Sequence, residues 1–178
     1  MKTSNELLPI ALVYDFDGTL AEGNCAEHGL LPALGVDDPG TFWADVKDQA
    51  TSRDADEILT YLGILVELAS SRDINLLSKS KLQEFGQKIP LFSGVKSWFP
   101  RINQYAKIHG IELKHYIISS GLEEMIVGCK VGSQFEKIFG CRVEKFQDDP
   151  TLIWPTQTIN YTTKTQFLFR INKGIDNS

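Results

Sequence analysis

Leu8-Pro9-Ile10-Ala11-Leu12-Val13-Tyr14-Asp15-Phe16-Asp17-Gly18-Thr19-Leu20 is the stretch that decides how this chain folds. From Leu8 to Tyr14 the residues are almost continuously apolar, the pattern of a parallel strand buried on both faces. Pro9 suits only the strand's entry, because a proline further in would remove a ladder hydrogen bond. The run stops at Asp15 and Gly18 follows, so the two carboxylates stand at a carboxyl strand end and in the loop beyond it. Open α/β sheets bind their ligands at that place.

Working outward, residues 21–88 read as helical throughout. The clearest helix is at 55–69, where Ile58, Leu59, Leu62, Leu65, Val66 and Ala69 recur at three- and four-residue steps, with Asp54 or Asp56 available as its cap. Phe42, Trp43 and Val46 suggest an earlier helix, and Leu82 to Ile89 a later one. No strand interrupts this block. Beyond it, Val95, Trp98, Phe99, Ile102, Tyr105 and Ile108 trace one face of a helix ending at Gly110, with Pro100 placed to kink it. His115-Tyr116-Ile117-Ile118 is a second strand, closed by Ser119-Ser120-Gly121 and followed by a short helix from Glu123 to Val127. Cys141–Phe146 and Leu152–Trp154 flank Gln147-Asp148-Asp149-Pro150 as a hairpin. Thr162-Thr163-Lys164 opens a last helix running towards Asn172, which Gly174 is placed to end.

A chain of 178 residues can form one core, or a core with a small inserted module. Hydrophobic residues at 42% and charged residues at 23% describe a folded globular chain. The net charge of −5, without a concentrated run of Lys or Arg, argues against nucleic acid or an anionic membrane surface as partner. A small molecule is the expected ligand. Cys25, Cys129 and Cys141 form no Cys-x-x-Cys pair, so buried free thiols are expected in place of zinc or disulfides. Met1 to Glu6 lack the apolar core of a signal peptide and no apolar run is long enough to span a bilayer, so a cytoplasmic location is expected. His28, His109 and His115 lack metal-ligand spacing, and Trp43, Trp98 and Trp154 are expected to serve packing.

Asp15-Phe16-Asp17-Gly18-Thr19 alone is also compatible with a plain strand exit, a Ser at a strand end can merely cap a helix, and a Lys can merely be solvated. Together, Asp15-Phe16-Asp17-Gly18-Thr19, the strand end Ile117-Ile118-Ser119 and Lys164 at a later helix start resemble the three leading motifs of the haloacid dehalogenase (HAD) superfamily. The spacing resembles its phosphoserine-phosphatase-like branch. The resemblance implies an α/β fold, with a Rossmann-like core of parallel sheet and flanking helices in residues 1–20 and 89–178 and an inserted helical cap in 21–88. It further implies a Mg²⁺-dependent phosphomonoester hydrolase acting on a small phosphorylated metabolite through an aspartyl-phosphate. Asp15 would be the nucleophile and Asp17 the general acid and base. Ser119, Gly121 and Lys164 would hold the phosphoryl group, and Asp15 and Asp17, the latter through its backbone carbonyl, would hold the metal. Such a constellation makes physical sense: a carboxylate and a phosphate dianion repel, so attack requires positive charge and oriented donors at the site.

Two departures from the family pattern bear on this reading. Asn24 stands where phosphoserine phosphatases carry a glutamate for the substrate's amino group, so phosphoserine is not the expected substrate. Glu22 and Glu27, just after the nucleophile loop, are placed to meet a cationic group or to be solvated. The family's fourth motif, a strand ending in Gly-Asp-x-x-x-Asp, does not follow Lys164. Asp176 lacks an apolar run to lift it into a sheet, and Asp148 and Asp149 sit in the hairpin turn. The expectation is a chain truncated before that motif, with an incomplete sheet and metal site. Its first strand would lie on an open edge at Leu12 and Val13, prone to self-association. The alternative is a catalytically inactive remnant that binds a phosphorylated ligand or a protein.

Overall fold

The computed structural model describes residues 7–146, 149 and 152–174. In chain order, β1 (Leu8–Tyr14) leads through a 3-10 turn at Cys25–Glu27 into α1 (Leu30–Ala33), α2 (Pro39–Ser52), α3 (Glu57–Arg72) and α4 (Lys79–Gly86). Then come α5 (Val95–Ile108), β2 (Ile111–Leu122), α6 (Glu123–Gly128), β3 (Lys137–Lys145), β4 (Ile153–Gln157) and α7 (Tyr161–Asn172).

The two long helices of the helical block, α2 and α3, start with side-chain caps. Asp38 accepts from the Gly40 and Thr41 N–H groups ahead of Pro39, and Asp56, one of two candidates, caps α3 by accepting from Leu59 at 2.8 Å. α3 turns Tyr61, Leu62, Leu65 and Ala69 inward, while Leu59 from the expected stripe is exposed. At Gly86 and Gly128, α4 and α6 leave no room for a side chain. A Cβ on Gly86 would overlap the Met125 carbonyl, and one on Gly128 would overlap the Gln83 backbone, so glycine lets these helices meet backbone to backbone.

The sheet runs β1-β2-β3-β4. β1 and β2 are parallel with Leu8 opposite Ile111 and Tyr14 opposite Ile117, β2 and β3 are parallel, and β4 returns antiparallel to β3. This is a mainly parallel α/β sheet with flanking helices. β2 is longer than its apolar core suggests because it has a strand on either side, and residues His115 to Ser119 are all buried. β1 departs from the expectation of burial on both faces. Leu8 is 61% and Ile10 36% exposed, and only Leu12 to Tyr14 are half-buried. Its apolar residues sit on the sheet's edge, where among the described residues β2 is its one strand neighbour.

In α5, Val95, Phe99 and Ala106 face the sheet, whereas Trp98, Tyr105 and Ile108 of the anticipated stripe are exposed. Pro100 lies within the helix without ending it. Trp154, expected to pack inside, is also exposed and meets Phe146 edge-on across the hairpin. Turn residues 147, 148, 150 and 151, and Asp176, lie outside the described residues. One hydrophobic cluster runs from Phe16 and Leu20 through Leu62, Leu65 and Phe85 to Ile117, Met125 and Phe139, joining helices to sheet. The three cysteines are buried and free. No helix among the described residues is long and apolar enough to cross a membrane.

Candidate active site

Asp15 follows the last residue of β1, and Phe16 fixes what comes next. The Phe16 ring is fully buried, and its carbonyl accepts from the N–H groups of Thr19, Leu20 and Ala21. Gly18 supplies the positive φ of 69° that this tight reversal requires. Side chains alternate along extended backbone, so anchoring Phe16 in the core sends Asp15 and Asp17 the other way.

Asp15 accepts from its neighbour's N–H on Oδ1, at 2.9 Å from Phe16, and from the Lys164 ammonium on Oδ2 at 2.7 Å. The two side chains of this pair remain 44% and 26% exposed, so the carboxylate is reachable from solvent. Lys164 is brought there from 149 residues away by the start of α7. That start is fixed by a capping box: Asn160 accepts from Thr162 and Thr163 N–H while the Thr163 hydroxyl accepts from the Asn160 N–H. The Asn160 amide also donates to Asp56 at 2.8 Å, tying the first turn of α7 to the cap of α3.

Asp17 is enclosed. Its Oδ1 accepts from the Cys25 N–H at 2.9 Å, and the Cys25 thiol hydrogen-bonds the same carboxyl. Burial pushes its pKa up to about 7 against those hydrogen bonds, and the Asp15 charge adds to the rise. A carboxyl held there exchanges a proton near neutrality. Ser119, at the buried end of the β2 core, accepts from the Gly121 N–H at 3.0 Å. Gly121 is needed for space: a Cβ would lie 2.8 Å from both Asp17 Oδ2 and Cys25 Sγ, and 3.3 Å from Ser119 Oγ. The structure therefore brings together Asp15 with Lys164, and Asp17 with Gly121 and Ser119, at the carboxyl ends of β1 and β2.

Several neighbours escaped sequence reasoning. Cys25 is one, announced only as an isolated thiol; burial and the Asp17 charge hold its pKa well above the ordinary range. A second is a chain of hydrogen bonds beneath Asp15. Trp98 Nε1–H donates to the Tyr14 hydroxyl at 2.9 Å, that hydroxyl meets His115 Nδ1 at 2.9 Å, and His115 Nε2 meets Asn103 Oδ1 at 2.8 Å. The Asn103 oxygen can only accept, so the ring's proton sits on Nε2 and Nδ1 accepts from the Tyr14 hydroxyl. Glu27 is engaged by the Trp43 indole at 2.7 Å, Glu22 is exposed, and the Asn24 side chain caps the Cys25–Glu27 turn.

Magnesium takes oxygen ligands and keeps several waters, so one or two carboxylates suffice beside a phosphate. Asp15, open to solvent, and the Asp17 backbone offer donors of that kind. No group of three or more His, Cys, Asp or Glu side chains able to hold a metal occurs among the described residues. The donor set suits a largely hydrated magnesium ion and does not suit a dehydrated all-protein cage.

Solved structures share this architecture. A HAD family hydrolase from Salmonella enterica serovar Typhi superposes with a TM-score of 0.62 at 20% identity, over 97% of this chain and 54% of that one. A phosphoserine phosphatase in a phospho-aspartyl intermediate analogue form gives 0.59 at 15% identity, over 94% and 73%. This chain shares the fold of these two solved structures. A phosphoserine phosphohydrolase-like protein from Francisella tularensis gives 0.57 at 19% identity, over 96% and 75%. No protein-family model matches the chain. In sequence, an uncharacterized protein of Borreliella burgdorferi is 29% identical, over 93% of this chain and 65% of its own length. The chain thus spans just under two thirds of that relative, and about half of the Salmonella hydrolase.

Proposed function

We propose that this HAD-fold chain carries the phosphoryl-transfer half of a phosphomonoester hydrolase acting on a small phosphorylated metabolite. The observation that carries the reading is the 2.7 Å contact of Lys164 with Asp15, which sets a cation on a reachable carboxylate beside a second, protonatable one. Asp15 attacks phosphorus in line, forming an aspartyl-phosphate as the bond to the organic oxygen breaks. Asp17 gives its proton to that leaving oxygen. It then takes a proton from the water that cleaves the aspartyl-phosphate, which restores Asp15 and releases phosphate. Lys164, the Ser119 hydroxyl and backbone amides near Gly121 hold the phosphoryl oxygens. The Asp15 carboxylate and the Asp17 carbonyl would hold a magnesium ion, which would supply positive charge against the repulsion of carboxylate and phosphate.

In this reading residues 21–88 form a cap over a core of residues 1–20 and 89–178. The capping tie from Asn160 to Asp56 supports a defined seat for the cap. We also propose that two copies pair along β1. Pro9, Ile10, Ala11 and Val13 line an open groove with Leu168 and Ile171, and Glu112 and Lys114 offer a two-fold mate opposite charges.

The test is p-nitrophenyl phosphate with and without magnesium, using the chain and Asp15→Asn. Turnover that needs magnesium and disappears in Asp15→Asn is expected. The small number of metal donors favours a second reading, a phosphate-binding module without turnover. Folded protein that binds inorganic phosphate but never turns over would select it.

A further inference from the structure

Among the described residues, Tyr161 is the most exposed large hydrophobic side chain, at 86%, and its ring and hydroxyl meet no hydrogen-bond or ring partner. It is the first residue of α7, three before Lys164. The helix start does not need it. Ile159 ahead of the cap is fully buried, and Asn160 and Thr163 complete the capping box between them. A single exposed aromatic residue is ordinary in itself, so its position decides what it can do.

The groove beside β1 gives the direction of α7. Leu168, Ile171 and Gly174 line it with Pro9, Ile10 and Val13, whereas Lys164 reaches Asp15 just past the end of the strand. α7 therefore runs back along β1, antiparallel to it, with its first turn outermost. Stepping from Lys164 to Tyr161 moves about 4.5 Å further out, at 1.5 Å per residue, and residues three apart share a side of the helix. Side chains also tilt towards the N-terminus of a helix, which leans the Tyr161 ring beyond the Asp15–Lys164 pair. In an in-line attack by Asp15 the leaving oxygen departs on the side of phosphorus opposite the carboxylate. The organic portion of a phosphomonoester bound there extends outward past the strand ends, into the space that Tyr161 borders.

We infer that Tyr161 is a specificity-determining residue whose ring stacks on a planar group in the substrate's organic portion, the substrate being a phosphomonoester of an aromatic or heterocyclic compound. The inference rests on the phosphatase reading and deepens it. Nothing walls the ring in, so an aliphatic chain would gain contact along one side only, whereas a flat ring laid on the open face gains its full area. Tyr161 is accessible as it stands, and no element has to move for it to meet a ligand.

Phenylphosphonate and methylphosphonate carry the same head group on a carbon–phosphorus bond that this chemistry does not cleave, and they differ only in the organic portion. Calorimetric titration of each, with magnesium, into the full chain, Tyr161→Ala and Tyr161→Phe decides the matter. The parent is expected to bind phenylphosphonate more tightly than methylphosphonate. Tyr161→Ala is expected to weaken phenylphosphonate alone, by about twofold to tenfold, the worth of one aromatic pair, while Tyr161→Phe keeps the parent's preference. Urea midpoints of all three are expected to coincide. Equal weakening of both ligands in Tyr161→Ala would show a disturbed helix start and overturn the inference. A loss in Tyr161→Phe equal to that in Tyr161→Ala would assign the effect to the hydroxyl and overturn it too. Methylphosphonate bound by the parent with no preference for the phenyl ligand refutes this inference alone. A parent that binds neither ligand refutes the phosphate site itself, and the inference falls with it.

Discussion

At the residue scale, Asp17 and His115 tie stability to pH in opposite senses. Burial holds the Asp17 carboxyl at about 7 in the fold, against an ordinary 3.8. Between those values the folded chain binds more protons than the unfolded one, so stability is lost as pH rises through that window and then levels off. Asp17→Asn removes the penalty. Its unfolding free energy from urea titration at pH 8 is expected to exceed that of the parent by an amount on the order of a few kcal/mol, and the difference to close towards pH 4. His115 works the other way, since burial lowers its pKa from 6.5. Below 6.5 the unfolded chain takes up the proton first, so stability falls as pH drops towards the folded value. Protonation would also put a second N–H on the Tyr14 oxygen that already accepts from Trp98. Nitrogen-detected NMR is expected to show the Nε2–H tautomer and a titration midpoint below 6.5, and a midpoint at or above 6.5 would refute this chain of hydrogen bonds. The strand end at Asp15 and the helix start near Lys164 were legible in sequence from the apolar run and the turn residues, whereas β2 runs on through Ser119 and Gly121, expected to close it, to Leu122. Tyr14, Tyr61 and His115 were not legible, because an apolar strand or helix face looks the same whether its polar atoms meet partners or stand alone.

At the scale of elements, the first turn of α7 is where sequence and site meet. The capping box of Asn160 and Thr163 aims the helix, and Lys164, one residue on, reaches Asp15. Asn160→Ala is expected to cost about 1–2 kcal/mol in urea unfolding, since the cap and the tie to Asp56 go together, and to weaken inorganic phosphate binding through Lys164. Unchanged phosphate affinity would separate the cap from the site. The opening of α7 at the threonines was readable from sequence, but its cap proved to lie at Asn160, two residues earlier. α5 shows the limit of periodicity. Its stripe of six large apolar residues is genuine, yet the sheet offers contact to Val95 and Phe99 and leaves Trp98, Tyr105 and Ile108 exposed. The hydrogen bond to Tyr14 gives Trp98 a polar task at the margin of that contact.

For the whole molecule, the open edge of β1 is the feature with measurable consequences. Sedimentation velocity is expected to show dimers, and Ile10→Lys, which sets a charge in the groove, is expected to return monomers without changing the far-UV spectrum. A monomer at all concentrations would remove the proposed pairing. The chain by itself determined the alternation of strands and helices, the inserted helical stretch and the acidic strand end, because these follow from local apolar patterns and turn residues. Tertiary structure decided the rest: that the continuous apolar run of β1 lies on an edge, that Cys25 closes over Asp17, and that the Tyr61 hydroxyl is buried without a hydrogen-bond partner. Burial and hydrogen-bond pairing are set by which distant segments meet, and no local pattern carries that information.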